Sequence, residues 1–420
     1  MQLWILCASL GALGVGCARP ESRDVRPAGE SSAEPVVIRF WTFQQSALDI
    51  QEAQERVRQR FEAENLHLRV EVRTFPSPHY RPQLLEALRS SHPPDIATLD
   101  QVWMAEFAES GAILPLDGLL AREAQARLFF PSAWETCLYK DHVWGVPLSI
   151  DGWMLLYYNK ELFRRAGLDP EHPPTTWPAL QEVGRRLTQP PEQYGLVLLG
   201  AADEGLVASI NAFIYSNDGQ VVDASTGQAR INQPEAVEAL EFYRELTRFA
   251  PPGTEKRNEA AAVELFLSGK VAMALLGSWQ QDTFRLRAPE LDWGVAVLPA
   301  PLGKEPHSTA GGWNLVVFAA SPHPEEAFKY IEFLSRLDVQ PEVTSLIPAR
   351  LDAGRRFIRK QRREPDVVRY MLEQGMPRPV SPAYSRITEA QQRMMQRILA
   401  GAPVQEAADE AAAEINQLRH

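Results

Sequence analysis

Strand and helix patterns alternate along the stretch that follows the N-terminal segment, and this alternation constrains the fold more than any other feature. Val36–Trp41 has the composition of a mostly buried strand, and Leu48–Glu64 carries apolar residues at helical spacing. Strand patterns recur at Leu68–Val72 and Asp95–Leu99, with a helix predicted over Leu84–Arg89 between them. A β-α-β-α-β order predicts a parallel sheet with helices on both faces, in an α/β protein.

A second strand-and-helix unit occupies residues 145–177. Val146–Tyr158 is apolar and aromatic enough for one buried strand. Asn159 is predicted to cap a short helix that stops at Gly167, and either Thr175 or Thr176 is predicted to cap the next helix. The same style continues to the C-terminus, with strands predicted at Leu196–Leu199, Val271–Leu275 and Trp293–Leu298, and helices through Asn211–Tyr215, after Asn232–Pro234, over Pro324–Leu334 and over Ile387–Ile398.

Size and charge narrow the class of protein. A chain of 420 residues is too long for one core, so two lobes are expected. The formal net charge of −11 argues against a nucleic-acid-binding protein and against attraction to anionic membranes. The three cysteines are Cys7, Cys17 and Cys137. If the chain is processed at Cys17, only Cys137 remains in the globular body and has no partner there for a disulfide, so Cys137 is predicted to be a packed core residue.

The N-terminus has the features of a processing signal. Leu3–Val15 is apolar but too short to span a bilayer, and small residues follow it up to Cys17. This pattern resembles a bacterial lipoprotein signal over residues 1–17, which implies that Cys17 is lipidated; an ordinary secretory signal is the alternative. Residues 18–35 are rich in Pro, Ser, Glu and Arg and are predicted to form a disordered tether.

Short blocks follow one another in an order that is more specific than any block alone. They are Pro94–Ala97, Ala108–Asp117, Leu156–Phe163, Pro173–Trp177, Asn217–Gln220, Ile231–Ala236, Gly269–Met273, Gly277–Trp279, Gly311–Leu315 and Ile347–Arg350. Over roughly Val36 to Leu418 this order resembles the family 1 extracellular solute-binding proteins of ABC importers, which include many sugar and oligosaccharide receptors.

The resemblance implies a two-lobed, type II periplasmic-binding-protein-like fold. Each lobe would be a mixed, mainly parallel sheet flanked by helices, and the chain would cross between lobes at Ile150–Gly152, Gly311–Gly312 and Pro348–Ala349. Lobe 1 would comprise residues 36–150 and 314–347, and lobe 2 residues 151–312 and 349–420. The glycines at the second crossing suit a hinge, because they tolerate large backbone rotations.

Aromatic residues at the predicted strand ends and crossings point to the ligand. In open α/β sheets ligands bind beyond the carboxyl ends of the strands. Indole rings suit the apolar faces of sugars, and amides and carboxylates suit their hydroxyls. The candidates are Trp41, Trp103, Trp153, Trp279 and Trp313, and core packing remains an alternative for each. Trp134, Trp144, Trp177 and Trp293 are predicted to pack inside.

Most of the polar candidates lie within a few residues of these tryptophans. They are Gln44, Gln45, Asp100, Gln101, Asp151, Asn314 and Arg350. The resemblance adds Gly312, at the second crossing, and Tyr384. Asp151 is the most specific, because a carboxylate at the first crossing can accept two sugar hydroxyls. Its alternative is a salt bridge across the hinge with Arg350. Asp95 is predicted to be structural, because it starts a strand.

No enzyme signature occurs in the sequence, and neither a metal nor another cofactor is expected. We therefore expect an extracytoplasmic, monomeric receptor that captures a carbohydrate and delivers it to ABC permease subunits with a separate ATPase, held at the membrane only through its lipid anchor. Two alternatives stay open: a glycosidase that uses paired carboxylates, and a receptor for polyamine, phosphorylated glycerol or iron. Two acids, one arginine and many amides and aromatics favour a neutral polyol.

Overall fold

The computed structural model describes residues 34–43, 48–90, 93–121 and 125–418. The predicted signal segment with Cys17, residues 18–33 of the tether, and both Gln44 and Gln45 lie outside these residues.

Strands form two principal sheets. The strands are β1 Val36–Phe43, β2 Leu68–Phe75, β3 Ile96–Asp100, β4 Leu138–Tyr139, β5 His142–Val143, β6 Val146–Trp153, β7 Leu155–Asn159, β8 Tyr194–Val197, β9 Val271–Leu276, β10 Trp293–Ala296, β11 Ser308–Val317, β12 Ile347–Pro348 and β13 Gly375–Met376. One sheet has the order β12-β6-β11-β3-β1-β2, with β13 beside β11, and the other has the order β10-β7-β9-β8. β1 runs parallel to both β2 and β3, which confirms the predicted β-α-β-α-β unit.

Helices flank both sheets. They are α1 Leu48–Glu64, α2 Ser77–Ala87, α3 Met104–Glu109, α4 Pro131–Glu135, α5 Lys160–Arg165, α6 Trp177–Leu187, α7 Glu204–Ser216, α8 Pro234–Leu246, α9 Glu259–Leu267, α10 Gln280–Arg287, α11 Pro324–Leu334, α12 Gln340–Val343, α13 Leu351–Gln361, α14 Pro365–Glu373, α15 Tyr384–Leu399 and α16 Val404–Gln417. α1 and α11 have the predicted bounds. α2 begins earlier than predicted. The prediction missed its first turns, because they lack the apolar spacing on which the prediction depends.

The segment predicted as one strand over Val146–Tyr158 is two strands in different sheets. Met154 separates β6 from β7 and has a φ of +72°, a left-handed conformation that a continuous strand cannot contain. The chain therefore passes from the first sheet to the second at Met154. β6 pairs with β11 from Val146 to Trp153, so the predicted lobe limits near residues 150 and 312 fall inside paired strands. The lobe limits themselves stay a prediction.

Several local predictions are confirmed. The Asn159 side chain accepts a hydrogen bond from the Leu162 backbone N–H at 3.0 Å, and Gly167 follows α5 in the left-handed conformation. Thr176 caps α6 through the Ala179 N–H. Asp95 is buried and bonded to Arg39 and to the Ser321 hydroxyl, as a structural residue would be. Among the described residues no helix is both long enough and apolar enough to cross a bilayer.

A small apolar cluster lies beneath the carboxyl ends of β1 and β3, apart from the main core. It contains Phe75, Tyr80, Leu99 and Phe107, and partly exposed aromatic rings pack against its edge. The Tyr80 hydroxyl donates to the Thr98 carbonyl at 2.6 Å, which ties the start of α2 to β3. This cluster supports the sheet edge at which a ligand was predicted to bind.

Candidate functional site

Residues 310–313 of β11 bring together predicted site residues from three parts of the chain. β11 lies between β3 and β6, so that Trp313 is opposite Asp100 on one side and Gly311 is opposite Asp151 on the other. The Gln101 side-chain amide donates to the Ala310 carbonyl at 2.5 Å. We call residues 310–313 the central segment.

The first group beside the central segment is an aromatic cluster around Trp313. Its indole stacks on Phe43, with ring centroids 3.9 Å apart and planes 20° apart. Trp103 meets Trp313 edge to face at 5.9 Å. The ring centroid of Trp41 lies 4.8 Å from that of Phe75, in the same apolar cluster. The three predicted tryptophans of this group are partly exposed, so aromatic surface remains available to a ligand.

The second group is formed by Trp153 and Trp279. Their ring centroids are 4.7 Å apart and their planes make an angle of 72°. Both rings are partly exposed. Trp153 is the last residue of β6, and Trp279 lies between β9 and α10, so the pair joins segments that belong to different sheets.

Exposure differs between the predicted site tryptophans and most of the predicted core tryptophans. The five candidates are all partly exposed. Trp134, Trp177 and Trp293 are buried, as predicted. Trp144 was predicted to pack inside but is partly exposed, and its ring N–H donates to the Tyr139 carbonyl at 2.9 Å. Position at a strand end or a crossing therefore predicted which tryptophans are partly exposed better than general burial statistics for tryptophan do.

Asp151 is a buried carboxyl beside the second group. It is 2% exposed, and the Ser278 hydroxyl donates to its Oδ1. Its Oδ2 has no hydrogen-bond partner among the described residues. Burial raises the pKa of Asp151 to about 7, although the charge of Arg362 and the Ser278 hydrogen bond oppose the rise. The Oδ2 atom is thus a buried acceptor that no hydrogen bond satisfies in this structure.

The alternative role of Asp151, a salt bridge with Arg350, is wrong for this structure. Arg350 instead lies 3.6 Å from Asp352 and donates to the Ser335 carbonyl at 3.3 Å. The basic neighbour of Asp151 is Arg362, whose side chain is fully buried and pairs with Asp282 at 2.9 Å. The physical reason is that Arg350 follows the short edge strand β12 and extends toward the end of α11.

Asn314 and Gly312 have structural roles at the central segment. Asn314 is 2% exposed, and its amide donates to the Thr136 hydroxyl at 3.0 Å, so its polar groups form bonds inside the protein. Gly312 has a φ of +154°, and a Cβ there would lie 2.3 Å from the Ser149 carbonyl oxygen. Glycine is therefore required for β11 to approach β6.

Sequence reasoning missed an ionic cluster centred on Arg378. Its buried guanidinium lies 3.4 Å from Asp100 and 2.9 Å from Glu204. The predicted residue Tyr384 donates to the same Glu204 carboxylate at 2.8 Å, and Thr388 donates to it at 2.6 Å. Burial raises the pKa of Asp100, and Arg378 opposes this rise. A lone arginine in a proline-rich loop has no periodic signal, so its distant partners could not be read from the sequence.

A cavity of about 710 Å³ adjoins this ionic cluster. Arg378 lines it together with Tyr139, Tyr215 and Val380. None of the five candidate tryptophans lines this cavity. In the described part of the chain no group of three or more His, Cys, Asp or Glu side chains is placed to hold a metal ion.

Comparisons with known proteins agree with this architecture. The family model for the bacterial extracellular solute-binding proteins matches residues 47–341, more than half of the chain. A binding protein of Brucella abortus is 25% identical, over 83% of this chain and 84% of the relative. The maltotriose-binding protein of Pyrococcus abyssi is 27% identical, over 65% of this chain and 57% of the relative.

A solved structure gives the same answer for the fold. The solute-binding protein of an ABC transporter from Thermotoga lettingae, bound with α-D-tagatose, superposes with a TM-score of 0.78 and 28% identity. The match covers 91% of this chain and 99% of that protein. The α/β architecture is thus the two-lobed fold of periplasmic binding proteins, as predicted. The chain belongs to the family of bacterial extracellular solute-binding proteins.

Proposed function

We propose that this protein is the substrate receptor of an ABC importer and that it captures a carbohydrate between its two lobes. The observation that carries the proposal is that partly exposed tryptophans flank the central segment, with Trp103 and Trp313 on the side of Asp100 and the Trp153–Trp279 pair on the side of Asp151. Stacking on indole supplies affinity for the apolar faces of a sugar ring, and the carboxyl groups accept hydrogen bonds from its hydroxyls. The ligands named for the relatives, maltotriose and tagatose, support a sugar.

Closure around the ligand is the expected mechanism. A ligand that contacts both lobes only when they are closed shifts the population toward the closed form. The contacts of Arg378 support this proposal. Its guanidinium joins Asp100, at the end of β3 in predicted lobe 1, to Glu204, at the start of α7 in predicted lobe 2. The lobe limits of this proposal are those predicted from the sequence, with residues 36–150 and 314–347 in lobe 1 and residues 151–312 and 349–420 in lobe 2.

We further infer that the protein changes no bond in its ligand. The competing function is glycoside hydrolysis, and Asp151 is the residue that favours it, since a carboxyl with a pKa of about 7 can serve as a proton donor. One experiment separates the two functions. The protein is titrated with maltotriose, maltose and tagatose by calorimetry, and the sugar is then analysed by chromatography. Saturable binding with intact sugar supports a receptor, whereas released monosaccharide supports the glycosidase.

Trp279→Ala tests the proposed site directly. If the ring stacks on the sugar, we expect the Kd to rise at least tenfold, in line with the about 0.5–1.5 kcal/mol of an aromatic contact plus the lost burial. Trp144→Ala is the matched control, because Trp144 is also a partly exposed tryptophan but contacts Tyr139 and His142 instead. Unchanged affinity in Trp279→Ala would remove this ring from the site.

Attachment and assembly are part of the same proposal. We expect a monomer that is lipidated at Cys17, held outside the cytoplasm, and docked on permease subunits encoded separately. Mass spectrometry of the protein from membranes tests the anchor: a diacylglyceryl adduct on Cys17 is expected, and its absence in a protein cleaved elsewhere would indicate an ordinary secretory signal.

A further inference from the structure

Two glycines lie directly under the paired indole rings of the second group. A Cβ at Gly277 would lie 2.1–2.3 Å from three carbon atoms of the Trp279 ring. A Cβ at Gly311 would lie 2.4 Å from the ring nitrogen of Trp153. Carbon atoms in contact stay about 3.5–4.0 Å apart. Neither indole can therefore keep its present position over any residue other than glycine.

Backbone conformation does not explain these glycines. Neither Gly277 nor Gly311 adopts a positive φ, so an alanine would be tolerated by the backbone itself. The requirement is for space beneath a ring. By contrast, Gly118 also lacks a positive φ, and a Cβ there would meet nothing within 4 Å. Gly118 is thus a matched control for the loss of a glycine without the loss of a ring contact.

Both glycines are held in place by their surroundings. Gly277 follows β9, and the buried Tyr157 hydroxyl donates to its carbonyl at 3.0 Å. Gly311 is paired with Asp151 across β11 and β6. The intervening residue Ser278 donates to Asp151, which ties the Gly277 loop to β6. The backbone on which the two rings lie is therefore tied to strands of both sheets.

From this geometry we propose that Gly277 and Gly311 are positioning residues, which seat Trp279 and Trp153 as a perpendicular pair and so set the shape of the ligand-binding surface. The role of the pair in binding a sugar rests on the proposed function above. The seating of the rings does not, because it is a property of the protein without ligand. An alanine at Gly277 must displace the Trp279 ring by more than about 1 Å, which is enough to separate stacked surfaces.

The first test uses no ligand. Two indoles 4.7 Å apart couple their excited states and give a paired band in circular dichroism. We expect this band to depend on Trp279, to be lost or strongly reduced in Gly277→Ala, and to be kept in Gly118→Ala. A Gly277→Ala spectrum like that of the wild type would overturn the proposal. The proposal would also fail if the wild-type spectrum and the Trp279→Ala spectrum were the same.

The second test measures coupling through the Kd for the tightest-binding sugar of the panel. Gly277→Ala should raise the Kd about tenfold, whereas Gly118→Ala should leave it within twofold. In the Trp279→Ala background, Gly277→Ala should change the Kd by less than twofold, because the ring that it displaces is absent. An equal loss of affinity in both backgrounds would show that Gly277 acts through something other than the ring.

Thermal unfolding keeps the proposal testable if Gly277→Ala folds poorly. Removing the ring relieves the overlap, so the Gly277→Ala, Trp279→Ala double variant should melt at a higher temperature than Gly277→Ala alone. A double variant less stable than the single variant would overturn the proposal. If no sugar binds the wild type, the proposed function fails, while the dichroism and melting experiments still decide how the rings are seated.

Discussion

The buried carboxyl of Asp151 makes a prediction about stability and pH. A pKa of about 7 in the folded protein, against an ordinary value of 3.8, means that the folded state holds a proton that the unfolded chain releases. Stability is then fullest below pH 4 and is lost as the pH rises through 7. The pKa difference corresponds to about 4 kcal/mol, because each pH unit is worth 1.36 kcal/mol. Asp151→Asn removes this titration and keeps an acceptor for the Ser278 hydroxyl.

The assay compares free energies of unfolding by urea, at intervals from pH 4 to pH 8, in protein without ligand. Subtracting the free energy of unfolding of the wild type from that of Asp151→Asn cancels the contributions of the other titrating groups. This difference should increase by up to about 4 kcal/mol as the pH rises, because only the wild type loses stability through Asp151. Asp366→Asn is the control, because its side chain is 93% exposed, and it should parallel the wild type. A constant difference for Asp151→Asn would refute the reasoning.

Three further predictions follow from contacts in the structure. Arg378→Met should lower the free energy of unfolding by about 2–3 kcal/mol in urea titrations, because it leaves the Asp100 and Glu204 carboxylates without their cation; an unchanged unfolding midpoint would contradict this. Gly312→Ala should lower the free energy of unfolding by about 1–3 kcal/mol in the same assay, because the added Cβ overlaps the Ser149 carbonyl. Wild-type stability in this variant would contradict the prediction and would show that β11 can move away from β6. Cys137 should react with a thiol reagent only after unfolding, because burial encloses the thiol and raises its pKa; rapid labelling of native protein would contradict its place in the core.

Local patterns in the sequence were sufficient for much of the fold. α1 was predicted from apolar spacing alone, and the caps at Asn159 and Thr176 from side chains that bond their own helix. These predictions depend on contacts within a few residues. The crossing at Met154 was not predicted, because a left-handed methionine leaves no compositional mark and the flanking strands are equally apolar.

The candidate site was predictable in its aromatic part and less so in its ionic part. Strand ends and crossings indicated five tryptophans that are all partly exposed in the structure, and their part in binding stays a prediction. The pairing of Arg378 with Asp100 joins residues 278 positions apart, and no local pattern records such a contact. Asn314 shows a further limit of sequence patterns. Its place next to Trp313 predicted a contact with the ligand, whereas in the structure its amide donates to the Thr136 hydroxyl.

The most direct measurement of the central claim is a crystal structure of the protein with the tightest-binding sugar of the panel. We predict an intact sugar beside the central segment, in contact with the Trp153–Trp279 pair or with Trp313, and with a hydroxyl bonded to Asp151 or Asp100. A sugar bound elsewhere, with all five tryptophans free of contact, would contradict the account.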